Sequence, residues 1–220
     1  MVIVGLTGSI GMGKSTAAKM LREMGVPVYD ADAAVHALQA PGGAALPGIE
    51  AAFPGVVKKG VLDRQALGAR VFGNKEALRR LEAIVHPLVR QRQIAFLQRA
   101  AQRGEKLVVL DIPLLFEGLG ERRVDATLVV SAPAFLQRRR VMARPGMTAE
   151  RLDGILRQQV PDVVKRRKAD IVIPTGLGLA PTREALAKAV AGRRTQRGRF
   201  WPANPWREKF TGELSRRRRK

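Results

Sequence analysis

The chain of 220 residues contains no cysteine, two histidines and one tyrosine, and has 19 acidic residues against 40 basic ones. Without cysteine there are no disulfides, thiolate metal sites or cysteine nucleophiles. His36 and His86 are too few for a histidine-rich metal centre. No apolar run approaches the roughly 20 residues that span a bilayer. The first residues, Met1 to Ser9, lack a basic segment followed by a long apolar one, so a secretion signal is not expected and the protein reads as cytoplasmic. A hydrophobic share of 45% and a charged share of 27% are those of a globular chain that buries a core. The length suits one or two domains.

The scarcity of acid leaves a formal charge of +21, which favours polyanionic partners: nucleic acid, an acidic membrane or phosphorylated small molecules. The charge is unevenly placed. Arg193 to Lys220 carries 11 basic and 2 acidic residues, so much of the excess belongs to a terminal appendage.

Val2 to Leu6 is a strand-like apolar run that leads straight into a glycine-rich turn. Ala17, Ala18, Met20, Leu21 and Met24 then recur at helical spacing, with Gly25 placed to stop the helix. Further strands are expected at Val26–Tyr29, Lys106–Ile112, Asp125–Val130 and Asp170–Ile173. Helical patterns lie between them, the alternation of a parallel sheet with crossover helices. Two stretches break that alternation. Residues 33–104 read as a largely helical insertion, with Asp63 and Asn74 as N-caps, and with Pro87 opening a helix that Gly104 closes. Residues 135–159 read as two helices around a mobile loop at Pro145-Gly146.

Gly8-Ser9-Ile10-Gly11-Met12-Gly13-Lys14-Ser15 fits G-x-x-x-x-G-K-[ST] at every fixed position, between a strand and a helix. Glycines let backbone N–H groups converge on phosphate oxygens, and the helix N-terminus adds a favourable dipole. Lys14 supplies charge for the β- and γ-phosphates, and Ser15 a hydroxyl for Mg²⁺. The chain is therefore expected to bind a nucleoside triphosphate. Asp30 and Asp32, at the end of the second strand, can accept the proton of an attacking hydroxyl or can cap the next helix. Asp111 can hold Mg²⁺ through a water as the last residue of its strand, or can serve as a turn residue before Pro113. Arg138, Arg139, Arg140 and Arg144 suit a lid that closes positive charge over a transferring phosphoryl group. They suit equally a solvated basic face. Four apart, Arg140 and Arg144 are expected on one helical face.

Taken together, Gly5 to Thr16, Asp30-Ala31-Asp32 with His36, Leu81-Glu82 leading to His86-Pro87, and Pro113-Leu114-Leu115-Phe116-Glu117 resemble the dephospho-coenzyme A kinase family. So do Arg144, the helix ending in Gln159, and Ala169-Asp170. The resemblance runs from Val2 to about Val190. It implies an α/β fold: a P-loop NTPase-type core (about 1–32, 105–134 and 160–192) with a parallel sheet flanked by helices. To this it adds a helical CoA-binding insertion (about 33–104) and an arginine-rich lid (about 135–159), all within a kinase domain of residues 1–192. It implies transfer of the ATP γ-phosphate to the ribose 3′-hydroxyl of dephospho-CoA, with Mg²⁺, completing coenzyme A synthesis. By the same resemblance Asp32 is the catalytic base, Gly11 to Thr16 hold the ATP phosphates, and Arg140 and Arg144 belong to the lid. Arg64 and His86 become CoA contacts; His86 also suits packing at a helix junction, and His36 reads as structural. Pro174 stands where the family usually has Asn, so the contact expected there lacks its side-chain amide. The tail, 193–220, interleaves Phe200, Trp201, Trp206 and Phe210 with basic residues. It reads as a flexible solvated extension, with single-stranded nucleic acid as an alternative partner. Two rival functions remain at this level: another nucleoside or nucleotide kinase, and a P-loop nucleic-acid-binding ATPase.

Overall fold

A computed structural model describes residues 1–201, and the chain divides into two units. One is Met1–Val28 with the segment from Gly104 onward, the other Tyr29–Arg103.

The first unit begins with β1 (Val2–Thr7), whose six residues are all buried. Burial on both faces is what a central strand of a parallel sheet requires, and it explains the unbroken apolar run. Then comes the glycine-rich loop and α1 (Lys14–Glu23), ended by Met24 with Gly25 at φ +72°. The edge strand β2 is Val28–Asp30, two residues later than the apolar pattern suggested, and Pro27 contributes only its carbonyl, to the Val109 N–H.

In the second unit, α2 (Ala31–Leu38) is capped by Asp30, whose carboxylate accepts from the Ala33 N–H at 2.9 Å. α3 (Leu46–Ala52) follows, then a hairpin, β3 (Val57–Lys58) paired antiparallel with β4 (Val61–Leu62). The helical reading of this region missed the hairpin. Its signal was Lys59-Gly60 between two valine-bearing pairs: both residues have positive φ, 51° and 76°, as a tight two-residue hairpin turn demands. Asp63 and Asn74 cap α4 (Arg64–Val71) and α5 (Lys75–Gln102) as expected.

Pro87 does not open a helix. It lies inside α5, which is 28 residues long. An interior proline removes one helical hydrogen bond and costs about 3 kcal/mol. The helix continues because Leu81, Ile84, Val85, Leu88 and Val89, on both sides of Pro87, pack on one apolar cluster with Leu38, Ile49, Phe53 and Leu67. Val85 is buried and the other four are partly buried; full burial of a large aliphatic side chain stabilises by about 1.5–3 kcal/mol, so several partial burials together outweigh the proline.

The chain returns to the first unit through β5 (Leu107–Asp111), a 3₁₀ turn at Gly120–Arg123 and β6 (Ala126–Ser131). The arginine-rich segment forms α6 (Ala134–Met142) and α7 (Ala149–Gln158), as expected. Arg144 lies beyond α6, so it does not share a helical face with Arg140. A residue before proline is pushed out of the helical region, and Pro145 follows Arg144 directly. α8 (Asp162–Lys168), β7 (Ile171–Pro174) and α9 (Leu179–Arg194) complete the unit.

The sheet order is β2-β5-β1-β6-β7, and β5–β1, β1–β6 and β6–β7 pair in parallel. Parallel pairing gathers the carboxyl ends of the strands along one sheet edge: Thr7, Asp111, Ser131 and Pro174. That edge is where ligands bind in open α/β sheets. Helices cover the sheet, and Leu6, Leu21, Leu107, Leu128, Ile173 and Leu186 lie in the core. Residues 193–201 are partly tied to this unit. α9 runs on to Arg194, and the Arg199 and Phe200 N–H groups donate to Asp125, whose other oxygen accepts from Ile3 N–H. Trp206, Phe210 and the final basic run lie outside the described residues.

Candidate active site

The glycine-rich loop, residues 8–15, turns sharply between β1 and α1. Gly11 and Gly13 have φ of +77° and +88°, where side chains are strained. Gly8 needs its missing side chain for another reason: a Cβ there would sit 2.5 Å from a Val130 methyl and 2.9 Å from the Val130 carbonyl oxygen. The helix that follows has no side-chain cap and no acid in its first turn, so the opening N–H groups of α1 are left to an anion.

The loop's carbonyl side is fastened by side chains. Thr175 Oγ1 donates to the Met12 carbonyl at 2.7 Å, and the Met12 thioether accepts from the Ala132 N–H. The Arg140 guanidinium reaches the Thr175 carbonyl at 2.7 Å, Thr175 Oγ1 at 3.3 Å and the Gly11 carbonyl at 3.4 Å. These contacts engage the carbonyls of Gly11 and Met12. Thr175 directly follows Pro174, whose own carbonyl accepts from the Thr182 hydroxyl, so the polar role beside the loop belongs to Thr175.

Lys14 Nζ lies 2.7 Å from Asp111 Oδ1, and Asp111 is 2% exposed. The two residues come from α1 and from the end of β5, which the parallel sheet places next to β1, with Leu6 opposite Asp111. Ser15 and Thr16 are exposed in the first turn of α1. A cavity of about 500 Å³ lies beside the loop, walled by Ser9, Gln137, Gln159 and Asp162 among others. No group of three or more metal-ligating side chains occurs among the described residues.

The family model for dephospho-CoA kinase matches residues 2–179. The chain belongs to the dephospho-CoA kinase family. It is 58% identical to the dephospho-CoA kinase of Mesorhizobium japonicum over 90% of this chain and 100% of that one. Its identity to the dephospho-CoA kinase of Novosphingobium aromaticivorans is 61%, over 86% and 92% of the two chains. Among solved structures, a Thermus thermophilus protein superposes with a TM-score of 0.78 at 41% identity, covering 89% of this chain and 98% of that one. The dephospho-CoA kinase of Campylobacter jejuni gives 0.58 at 27% identity, over 86% and 96%.

As a member of the dephospho-CoA kinase family the chain is a phosphotransferase with a P-loop kinase fold, and no helix among its described residues is long and apolar enough to cross a membrane. In the unit of residues 29–103, Asp32 is exposed in the first turn of α2, beside the capping Asp30. Arg64 Nη1 lies 2.8 Å from His36 Nδ1. Because a guanidinium only donates, Nδ1 is the acceptor in this contact. His86 is exposed in the middle of α5, so there is no helix junction for it to cap.

Sequence reasoning gave no role to Glu117, Gln137, Gln159 or Lys165. Lys165 is fully buried, with Nζ 2.9 Å from Glu117 Oε1, which also accepts from the Val160 N–H at 2.8 Å. Burial pushes the Glu117 carboxyl up, but the Lys165 ammonium and the backbone N–H groups together hold it below the usual carboxylate range. Glu117 and Gln159 were noted only as parts of the family pattern. Lys165 opens the basic run Lys165-Arg166-Arg167-Lys168, so nothing local marked it as a buried charge.

Proposed function

We propose that this protein transfers the γ-phosphate of ATP to the ribose 3′-hydroxyl of dephospho-CoA, giving coenzyme A and ADP. The observation that carries the reading is the phosphate loop of a dephospho-CoA kinase family member, its Lys14 set on a buried strand-end aspartate. In this reading the 3′-oxygen attacks the γ-phosphorus in line, the bond to the β,γ-bridging oxygen breaks, and the hydroxyl proton passes to Asp32. Lys14 and the N–H groups of Gly11 to Thr16 stabilise charge that spreads over the phosphate oxygens. Gly8 allows the loop its close approach to β6. Arg140 braces the loop from its carbonyl side, and Arg144, exposed between α6 and α7, supplies mobile positive charge. Arg64 and His86 serve the CoA side, on the unit of residues 29–103.

Ser15 and Asp111 fit Mg²⁺ by chemistry, as hard oxygen donors placed at the start of α1 and the end of β5. The ion would neutralise triphosphate charge and be held in part by the phosphates themselves. That shared holding suits a site without a cluster of protein carboxylates. Location in the cytoplasm accords with the absence of a membrane-crossing helix among the described residues.

Asp32→Asn tests the base. It should cut turnover by about a hundredfold or more, the usual worth of general base catalysis, while ATP affinity stays within about threefold. Turnover close to that of the unaltered protein would remove Asp32 from the role.

A further inference from the structure

Ile10 stands in the middle of the phosphate loop, and both polar groups of its backbone are held by side-chain amides from the arginine-rich segment. Gln137 Nε2 donates to the Ile10 carbonyl at 2.8 Å, and the Ile10 N–H donates to Gln159 Oε1 at 3.1 Å. One glutamine comes from α6 and the other from the C-cap of α7, so each stem of the segment grips the same residue. A glutamine amide has a donor end and an acceptor end, and Ile10 engages one of each.

The Gln159 arm is itself anchored. The next residue, Val160, donates to Glu117 Oε1, which the buried Lys165 holds at 2.9 Å. Two residues further on, Asp162 accepts from the Ser131 hydroxyl at 2.7 Å. Gln137 is 8% exposed and lines, with Gln159 and Ser9, the cavity beside the loop. The stems of the arginine-rich segment are thus bonded to the phosphate loop.

We propose that Gln137 and Gln159 are positioning residues that fix the Ile10 peptide and thereby hold the phosphate loop in register with the acceptor for transfer. A loop built on Gly8, Gly11 and Gly13 has little stiffness of its own, and a misplacement of about 1 Å in a transfer site can cost about a hundredfold in rate. Thr175 and Arg140 brace the loop at Gly11 and Met12, and the clasp adds stiffness at Ile10. This rests on the proposed function, in which residues 8–16 hold the triphosphate.

The test uses the full chain with Gln137→Leu, Gln159→Leu and the double variant. It measures kcat and KM for dephospho-CoA, ADP affinity by calorimetry, and free phosphate released per CoA formed. Loss of one such hydrogen bond corresponds to about a tenfold fall in kcat. Each single variant should therefore lose about tenfold in kcat, keep KM and ADP affinity within about threefold, and release more free phosphate per CoA. Because both glutamines act on one peptide, the double variant should lose clearly less than the product of the single losses. Unchanged kcat in both single variants, losses confined to KM, or strictly multiplicative losses would overturn the proposal. A thermal scan identifies a misfolded Gln137→Leu, in which case Gln159→Leu alone decides on kcat and KM. If the unaltered protein makes no CoA, the kinase reading fails separately. The clasp is then judged by ATP hydrolysis, which should fall in the variants and would sink the proposal by staying level.

Discussion

Lys14 and Asp111 form a contact in which each charge offsets the burial of the other. Lys14→Met takes this cation away from a carboxylate that is 2% exposed, and breaking a buried pair from one side costs up to about 3–5 kcal/mol. The expected outcome is a clearly lowered thermal midpoint together with loss of phosphoryl transfer. Lys14→Met/Asp111→Asn also removes the buried negative charge, so the midpoint should partly recover while transfer stays lost. Recovery of both would mean that Lys14 is only a structural partner of Asp111. At this scale the phosphate loop was legible because its chemistry demands glycines, a lysine and a hydroxyl at fixed spacing. The Asp111 contact was half legible: a strand-end acid was visible, its lysine partner was not. Gln159 was illegible as a loop partner, since its bond to Ile10 spans 149 positions and an amide leaves no periodic trace.

The elements were legible where local pattern and tertiary packing agree, and illegible where packing overrides propensity. β1 and α1 fell close to their apolar patterns, and Asp63 and Asn74 capped helices as their chemistry suggests. Pro87 misled because a local rule ended a helix that a shared apolar face keeps whole. The junction between α7 and α8 depends on an ion pair instead. Lys165→Met should destabilise by about 3–5 kcal/mol in chemical denaturation, because Glu117 is then left without its cation, and Glu117→Gln/Lys165→Met should regain much of that loss. A double variant as unstable as the single one would contradict this account. The pH dependence has a definite sign. The Glu117 carboxyl lies lower in the folded protein than its ordinary value of 4.5, so its stabilisation is complete above that value and fades as pH falls through the folded one. As pH falls below about 4.5 the unaltered protein should lose stability that the double variant does not lose.

At the scale of the molecule, the parallel sheet is what turns separate motifs into a site, since it brings the ends of β1, β5, β6 and β7 to one edge. That alternation of strand and helix was readable in the sequence. The terminal residues were read too simply. α9 runs to Arg194 and the Arg199 and Phe200 N–H groups bond Asp125, so a cut at residue 193 would remove ordered chain. Deleting 202–220 is the cleaner variant. It takes away the last basic run and should leave phosphoryl transfer within about twofold, because every group given a role in the chemistry lies before it. Acceptor choice is tested in a purified-protein assay with ATP and Mg²⁺, in which dephospho-CoA, adenosine and AMP are offered as acceptors and single-stranded DNA is added in parallel. A dephospho-CoA kinase should give CoA and ADP in equal amounts from dephospho-CoA, little product from the other two acceptors, and no stimulation by DNA. No CoA, with ATP hydrolysis that rises on adding DNA, would contradict the kinase reading.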